Sequence, residues 1–392
     1  MDLMWQPWLM LKCAPRKRRV LYDGKVIDES QTPTDPSGAY NRPASVFRQQ
    51  DIPAADVVPG RWHIFACYGC PWAHRAIILR DLKGLQETVP LITTAGWWPF
   101  TRGLPAICTS GWRVEAPMPS SAFKNASPEL KAEAKKLPFE LWRLYVESDE
   151  HCTGRVTVPV LWDAEKAQVV NNESSEVIRM LNSTFSKLGA ADAPDLYPEE
   201  LREEIDMVNH RIYGSFNNGV YRCGFAASEE AYETAAKEVS EALRWMEDRL
   251  KTRRYLCGEH LTESDVRCYT TLIRFDGAYR NAFRCNKSGS VRRNFPQLQR
   301  YLRSLYSMQG FKESTDGMLF GYPLMYFAIC RWPGRRMSNL LRLLECAIFG
   351  LFGGLAPTCP DWRYDLLSWL CTPLRLLNRL YFDPLPDVGG LL

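Results

Sequence analysis

The apolar positions fall in short strand-like runs through the first half of the chain and at helical spacing in the second. Residues 61–68 (RWHIFACY) form the first run. Gly69, Cys70 and Pro71 follow, then a helix-like stretch over residues 72–83, with Gly84 placed to close it as a C′ glycine does. Residues 88–94 predict a second strand, residues 156–162 (VTVPVLW) a third with a proline inside it, and residues 168–171 a fourth, before a helix over 173–181.

Strand, helix, strand, then a proline-bearing strand with a hairpin partner is the order of a thioredoxin-like α/β domain, placed at residues 61–185. From residue 198 the pattern turns helical. Val239, Leu243, Met246 and Leu250 line one face of a long helix, and Thr262-Glu-Ser-Asp265 opens another with a capping box. Residues 198–312 are therefore expected to be an all-α second domain. Residues 23–60 are rich in Asp, Ser, Pro and Gly without an apolar period, so residues 1–60 predict an irregular N-terminal extension.

Composition narrows the function. The chain has 392 residues, 46% apolar and 24% charged, enough to bury a core in two or more modest domains. Its longest near-apolar runs, residues 317–330 and 346–357, fall short of the roughly 18 to 20 residues that span a bilayer. Basic residues exceed acidic ones by 49 − 45 = 4, and Lys12, Arg16, Lys17, Arg18 and Arg19 against Asp2 supply that whole excess. The neutral remainder argues against nucleic acid as the main partner. Thirteen cysteines are scattered without metal-ligand spacing, and five histidines do not complete a zinc site, so no metal is expected. A reducing, cytoplasmic setting fits a chain of this size better than a disulfide framework. The Arg-rich start leaves a mitochondrial transit peptide as the alternative.

Cys70 is the candidate nucleophile. It stands where a strand turns into a helix, and the free N–H groups and dipole of a helix N-terminus favour thiolate. Pro71 at the first helical position loses no hydrogen bond. His74 and Arg75, one turn on, either add positive potential or point elsewhere. Cys67 and Cys70 form C-x-x-C, but a redox dithiol has its resolving cysteine three residues into the helix, where this chain has Ala73. Cys70 therefore reads as a monothiol and Cys67 as a buried structural residue. A monothiol needs an external thiol to resolve its mixed disulfide, which points to glutathione. Val158-Pro159 fits if the bond is cis, leaving the Val158 backbone to pair with an extended peptide. Asn172-Glu-Ser-Ser175 then opens a helix that offers N–H groups and a hydroxyl to a carboxylate, with Glu173 for an amino group; helix capping alone is the competing reading.

Cys70-Pro-Trp-Ala-His-Arg75, Lys83-Gly-Leu85, residues 154–163 (GRVTVPVLWD), 172–182 (NESSEVIRMLN), 217–226 (NNGVYRCGFA), Leu261-Thr-Glu-Ser-Asp265 and Leu272-Ile-Arg-Phe-Asp276 together resemble the glutathionyl-hydroquinone reductases, the xi class of the omega-like glutathione transferases. The resemblance covers residues 40–312. It implies a thioredoxin-like domain followed by an all-α glutathione-transferase domain, glutathione as co-substrate, and a homodimer. It also implies Cys70 as nucleophile, glutathione held by Arg155, Val158, Glu173 and Ser174, and Tyr221 facing an aromatic substrate. The family's glutathione-covering Gly-Trp has two counterparts, Gly96-Trp97 and Gly111-Trp112; Trp112 is preferred, with residues 95–110 taken as an insertion. The family's closing segment with a second substrate-site tyrosine is absent after Lys312. Residues 313–392 have no lysine and read as a translated intron or shifted frame, or else as a membrane- or partner-binding extension. Residues 40–312 alone are expected to form the dimer. Three activities compete: removal of glutathione from glutathionyl-hydroquinones, omega-like thiol transfer of the dehydroascorbate-reductase type, and glutathione binding without catalysis.

Overall fold

Asp23 (φ 48°) and Gly24 (φ 70°) both adopt the left-handed backbone that a two-residue hairpin turn requires. They join β1 (Arg18–Tyr22) to β2 (Lys25–Glu29), paired from Arg18 opposite Glu29 to Tyr22 opposite Lys25. Only glycine fits the second turn position, because a Cβ on Gly24 would lie 1.9 Å from the Glu150 carbonyl oxygen. The hairpin corrects the expectation that residues 1–60 are irregular throughout; the Asp-Gly pair was its sequence signal. Buried Leu21 exchanges backbone hydrogen bonds of 2.8 and 2.9 Å with Gly154, so the hairpin braces the segment that carries Arg155. This computed structural model describes residues 18–29, 33–95, 111–280, 283–285 and 289–321; Trp97, residues 96–110 and residues 322–392 lie outside them.

The first half is built on a four-stranded sheet in the order β4 (Leu91–Thr93), β3 (Trp62–Ala66), β7 (Val160–Asp163), β8 (Gln168–Asn171). β3 runs parallel to β4 and antiparallel to β7, and β8 pairs antiparallel with β7. Every residue of β3 is buried, which is why it reads as a continuous run rather than an alternating one. Between β3 and β4 lies α1 (Pro71–Leu82), with Pro71 at its first position. Its end is a Schellman turn: the Gly84 N–H (φ 66°) donates to Asp81 and the Leu85 N–H to Arg80. Between β4 and β7 come the short pair β5 (Arg113–Val114) and β6 (Phe139–Glu140) with α2 (Pro128–Ala134) and α3 (Trp142–Ser148). Ala95 and Arg113 meet through two backbone hydrogen bonds of 2.7 and 3.2 Å. After β8, α4 (Ser174–Asn182) completes the domain and packs on α1.

The second half contains α5 (Arg202–Ile212), α6 (Gly219–Phe225), α7 (Glu229–Arg249), α8 (Glu263–Arg274), α9 (Val291–Asn294), α10 (Pro296–Tyr306) and α11 (Phe311–Gly321). Val239, Leu243, Met246 and Leu250 are all fully buried, as the spacing along α7 predicts. Asp265 accepts from the Thr262 N–H at 2.8 Å, and its other oxygen accepts from the Leu256 N–H and the Tyr301 hydroxyl. α5 and α8 each run on into a π-helical turn, Tyr213–Asn217 and Phe275–Tyr279. The boundary expected after Lys312 falls inside α11: Ser314 and Thr315 are buried, and Tyr269 and Thr315 share a hydroxyl hydrogen bond of 2.8 Å. Ser314 and Thr315 thus pack as part of the helical half. No helix among the described residues is long and apolar enough to cross a membrane.

Candidate active site

Of the seven cysteines described, six are buried and Cys70 is half-buried. Cys70 is the N-cap of α1, with extended backbone (φ −84°, ψ 120°), and its N–H donates to the Cys67 carbonyl at 3.1 Å. The thiol lies 3.9 Å from the Val158 carbonyl oxygen, and Val158-Pro159 is cis, as expected. Burial pushes the Cys70 thiol up. The N–H groups of Ala73 and Trp72 and the charges of Arg42 and Arg274 act in the opposite direction without outweighing it. The helix N-terminus therefore has the expected effect, but burial overrides the expected net preference for thiolate.

His74 and Arg75 do not turn to solvent. His74 is fully buried and held neutral, its pKa driven well below the usual range by burial and by Arg274. Buried Arg75 reaches the Ser174 hydroxyl at 3.4 Å and lies 4.6 Å from the Trp72 ring, with its pKa lowered by burial to about 9. Glu173 is the N-cap of α4. It accepts from the Ser175 N–H (3.2 Å) and hydroxyl (3.1 Å) and from the Ser45 hydroxyl (3.0 Å). Burial raises its pKa, but these hydrogen bonds and the Arg75 charge prevail and hold it below the usual carboxylate range. Asn172 does not cap α4. Its amide donates to Tyr145 and Thr157 and its oxygen accepts from the Phe47 N–H, which ties down the strand approach to Val158. Two buried donors beside these groups, Trp72 Nε1 and Arg75 Nε, have no partner among the described residues.

The opposite side is aromatic. Tyr221 on α6 stacks on Trp72 at 6.0 Å, and Tyr279, Phe225 and Phe283 lie around it at 5.8 to 6.1 Å. The Tyr221 and Tyr279 hydroxyls are 3.3 Å apart. Burial raises both phenol pKa values, Tyr279 to about 12 and Tyr221 well above its ordinary value, and negative charge on Cys70 raises each further. Both phenols are therefore within electrostatic reach of the sulfur and protonated at neutral pH.

Of the residues singled out from the sequence, Val158 lies against the Cys70 sulfur, Tyr221 is within its electrostatic reach and stacks on Trp72, and Ser174 and Glu173 join them through Arg75. Arg155 is half-buried beside Gly154, which the hairpin pins in place. Trp112 lies in a small apolar pocket with Val20, Leu21, Val26, Trp142 and Val156. Sequence reasoning missed Arg42, whose guanidinium lies 4.2 Å from the Trp72 ring, and Ser45, both in the supposedly patternless lead-in. It also missed Arg274, although the quoted motif 272–276 contains it, and Tyr279, three residues beyond.

This arrangement, a cysteine at a helix start facing a cis-proline strand with an all-helical partner half, defines a protein of the glutathione transferase type. Two family models agree: glutathione S-transferase, N-terminal domain, over residues 69–184, and glutathione S-transferase, C-terminal domain, over residues 229–304. The chain is 37% identical over 308 residues to glutathionyl-hydroquinone reductase YqjG of Escherichia coli (strain K12), covering 76% of this chain and 87% of that protein. To glutathionyl-hydroquinone reductase PcpF of Sphingobium chlorophenolicum it is 38% identical over 290 residues, covering 74% and 85%. The crystal structure of the Xi glutathione transferase ECM4 from Saccharomyces cerevisiae in complex with glutathione matches with a TM-score of 0.62 at 30% identity, over 76% of this chain and 98% of that one. The chain belongs to the xi class of the glutathione S-transferase family, the class of the glutathionyl-hydroquinone reductases. It is a glutathione-dependent enzyme of that family.

Proposed function

We propose that this enzyme removes glutathione from glutathionyl-hydroquinones through a Cys70–glutathione mixed disulfide. The carrying observation is the half-buried Cys70 between a peptide-like polar wall and protonated Tyr221. Glu173, Ser174, Arg155 and the Val158 backbone hold glutathione, Trp72 Nε1 and Arg75 Nε supply two further donors, and Trp112 is the candidate cover. The Cys70 thiolate attacks the thioether sulfur, the carbon–sulfur bond breaks, and the electron pair stays on the ring. Tyr221 then donates a proton to the ring carbon or stabilises the developing oxyanion. A second glutathione attacks the mixed disulfide, releasing glutathione disulfide and Cys70.

The chemistry is tested with glutathionyl-menadiol and glutathione. Wild type should release menadiol and Cys70→Ala should not; undiminished release by the variant rejects Cys70 as nucleophile. Thiol transfer on mixed disulfides is the second reading, favoured by the Cys70–Val158 geometry alone, which serves any glutathione disulfide. A homodimer in a reducing cytoplasmic compartment completes the proposal, with light scattering on the full chain as the check on assembly.

A further inference from the structure

The turn that presents Cys70 is held from the helical half. Arg274, the last residue of α8, is buried. Its Nη2 donates to the Tyr68 carbonyl at 2.6 Å, and its Nη1 donates to the Thr270 carbonyl at 2.7 Å and to His74 Nδ1 at 3.1 Å. A guanidinium has only donors, so His74 Nδ1 accepts and the imidazole proton resides on Nε2. That proton goes to the Ser314 hydroxyl at 3.0 Å, which in turn donates to the Gly310 carbonyl. α11 supports the turn a second time: a Cβ on Gly317 would stand 3.0 Å from the Tyr68 ring.

Among the described residues no carboxylate pairs with Arg274. Its partners are two carbonyls and a neutral imidazole, and its Nε has no partner among the described residues. A buried cation is costly unless an anion compensates it, and the sulfur of Cys70 is among the groups whose ionised form its charge stabilises, with the Tyr269 and Tyr279 phenols. We propose that Arg274 is the positioning residue of the nucleophile: its guanidinium fixes the Tyr68-Gly69-Cys70 turn, and its positive charge stabilises the Cys70 thiolate when that forms, against the burial that opposes it. The inference rests on Cys70 being the nucleophile. It makes the strength of that nucleophile depend in part on a residue of the other half of the fold, so that docking of α8 favours ionisation of the sulfur.

The other groups in electrostatic reach of the sulfur are Arg42 from the lead-in, Tyr221 on α6 and Tyr279 in the π-helical turn after α8, while neutral His74 on α1 contacts Arg274. Half-buried Arg42 acts on the sulfur in the same direction and stays in place in the Arg274 variants, so the shift they show reports the share of Arg274 alone. The test is the pH dependence of Cys70 alkylation by iodoacetamide in the full chain, followed on the Cys70 peptide by mass spectrometry. Arg274→Met should move the midpoint up by about one unit, a tenfold loss of alkylation rate at pH 7 that recovers at high pH. A folded Arg274→Met with an unmoved midpoint overturns the proposal. Should that variant not fold, Arg274→Lys, which keeps the charge, decides: its midpoint should stay within about 0.5 of wild type, and a full unit of upward shift overturns the proposal. The assay needs no hydroquinone, so its failure is distinct from failure of the release reaction.

Discussion

The two walls that meet at Cys70 are held in different ways. On the side proposed to hold glutathione, positions are set by directed hydrogen bonds. Glu173 is fixed by Ser45 and Ser175, Asn172 by Phe47, Tyr145 and Thr157, and the Arg155 segment by the β1 hairpin. On the aromatic side, proposed to face the substrate ring, Trp72, Tyr221, Phe225, Tyr279 and Phe283 touch through ring contacts, and the hydroxyl pair Tyr221–Tyr279 is a directed bond among them. Ring contacts tolerate small rotations at little cost, whereas a carboxylate with three donors does not. The polar wall therefore suits one constant peptide, and the aromatic wall suits a range of flat rings.

The largest effect should come from removing what supports both walls. Truncation after Lys312 strips Ser314 and Thr315 and leaves His74 Nε2 and the Tyr269 hydroxyl buried without these partners. Each orphaned group costs about 1–3 kcal/mol. Urea unfolding should show a stability loss of roughly 2–6 kcal/mol relative to a chain ending after Gly321; equal midpoints would make α11 dispensable. Next, Glu173→Ala removes a charge-assisted anchor worth about 1.5–3 kcal/mol, so KM for glutathione should rise by roughly 10- to 150-fold while KM for the hydroquinone conjugate changes less. A uniform rise in both would erase the distinction between the walls.

Changes confined to the aromatic wall should be milder and should spare glutathione. Tyr221→Phe is expected to slow hydroquinone release by roughly 10- to 100-fold, at or below the low end for general acid catalysis, yet leave reduction of a glutathione mixed disulfide near wild type. Equal loss in both assays removes the role assigned to the hydroxyl and favours thiol transfer. Gly224→Ala would place a Cβ 2.4 Å from the Phe283 ring, so the ring must move. A stability loss of about 1–3 kcal/mol is expected from overpacking, with altered KM for bulky conjugates and unchanged KM for glutathione.

The walls also differed in how legible they were. Cys70, the cis Val158-Pro159 and the start of α4 were readable because each lies in a local signature: a strand-to-helix turn, a proline within a strand, a polar run before a helix. The partners from residues 42 to 48 were not, since Arg42 and Ser45 reach the site by tertiary docking of a stretch with no period of its own. Tyr279 and Arg274 sit in and beside a π-helical turn, which breaks the 3.6-residue spacing that would reveal a shared face. The net effect of Cys70's surroundings was illegible for another reason: a helix N-terminus shows in sequence, whereas the depth of burial that opposes it does not. The Lys312 boundary failed because α11 begins before it and carries buried serine and threonine instead of an apolar stripe.

The smallest expected effect is the most direct measure of the polar wall. Glu173 has a folded-state pKa below its ordinary value of about 4.3. For such a depressed acid, the stabilising contribution is fully present above the unfolded pKa and is lost as pH falls through the folded one. Binding of S-methylglutathione, whose thioether does not titrate, should therefore stay flat from pH 8 to about 5 and weaken only below the ordinary glutamate range. Ser45→Ala removes one of the donors that depress the value, so its acid limb should shift upward by less than one unit, a few-fold weakening near pH 4.5 that vanishes at pH 7. Calorimetry across that range separates the cases. A Ser45 effect of equal size at pH 7 would mean that the hydroxyl shapes the pocket rather than holding Glu173 ionised, and that the polar wall is set by packing as the aromatic one is.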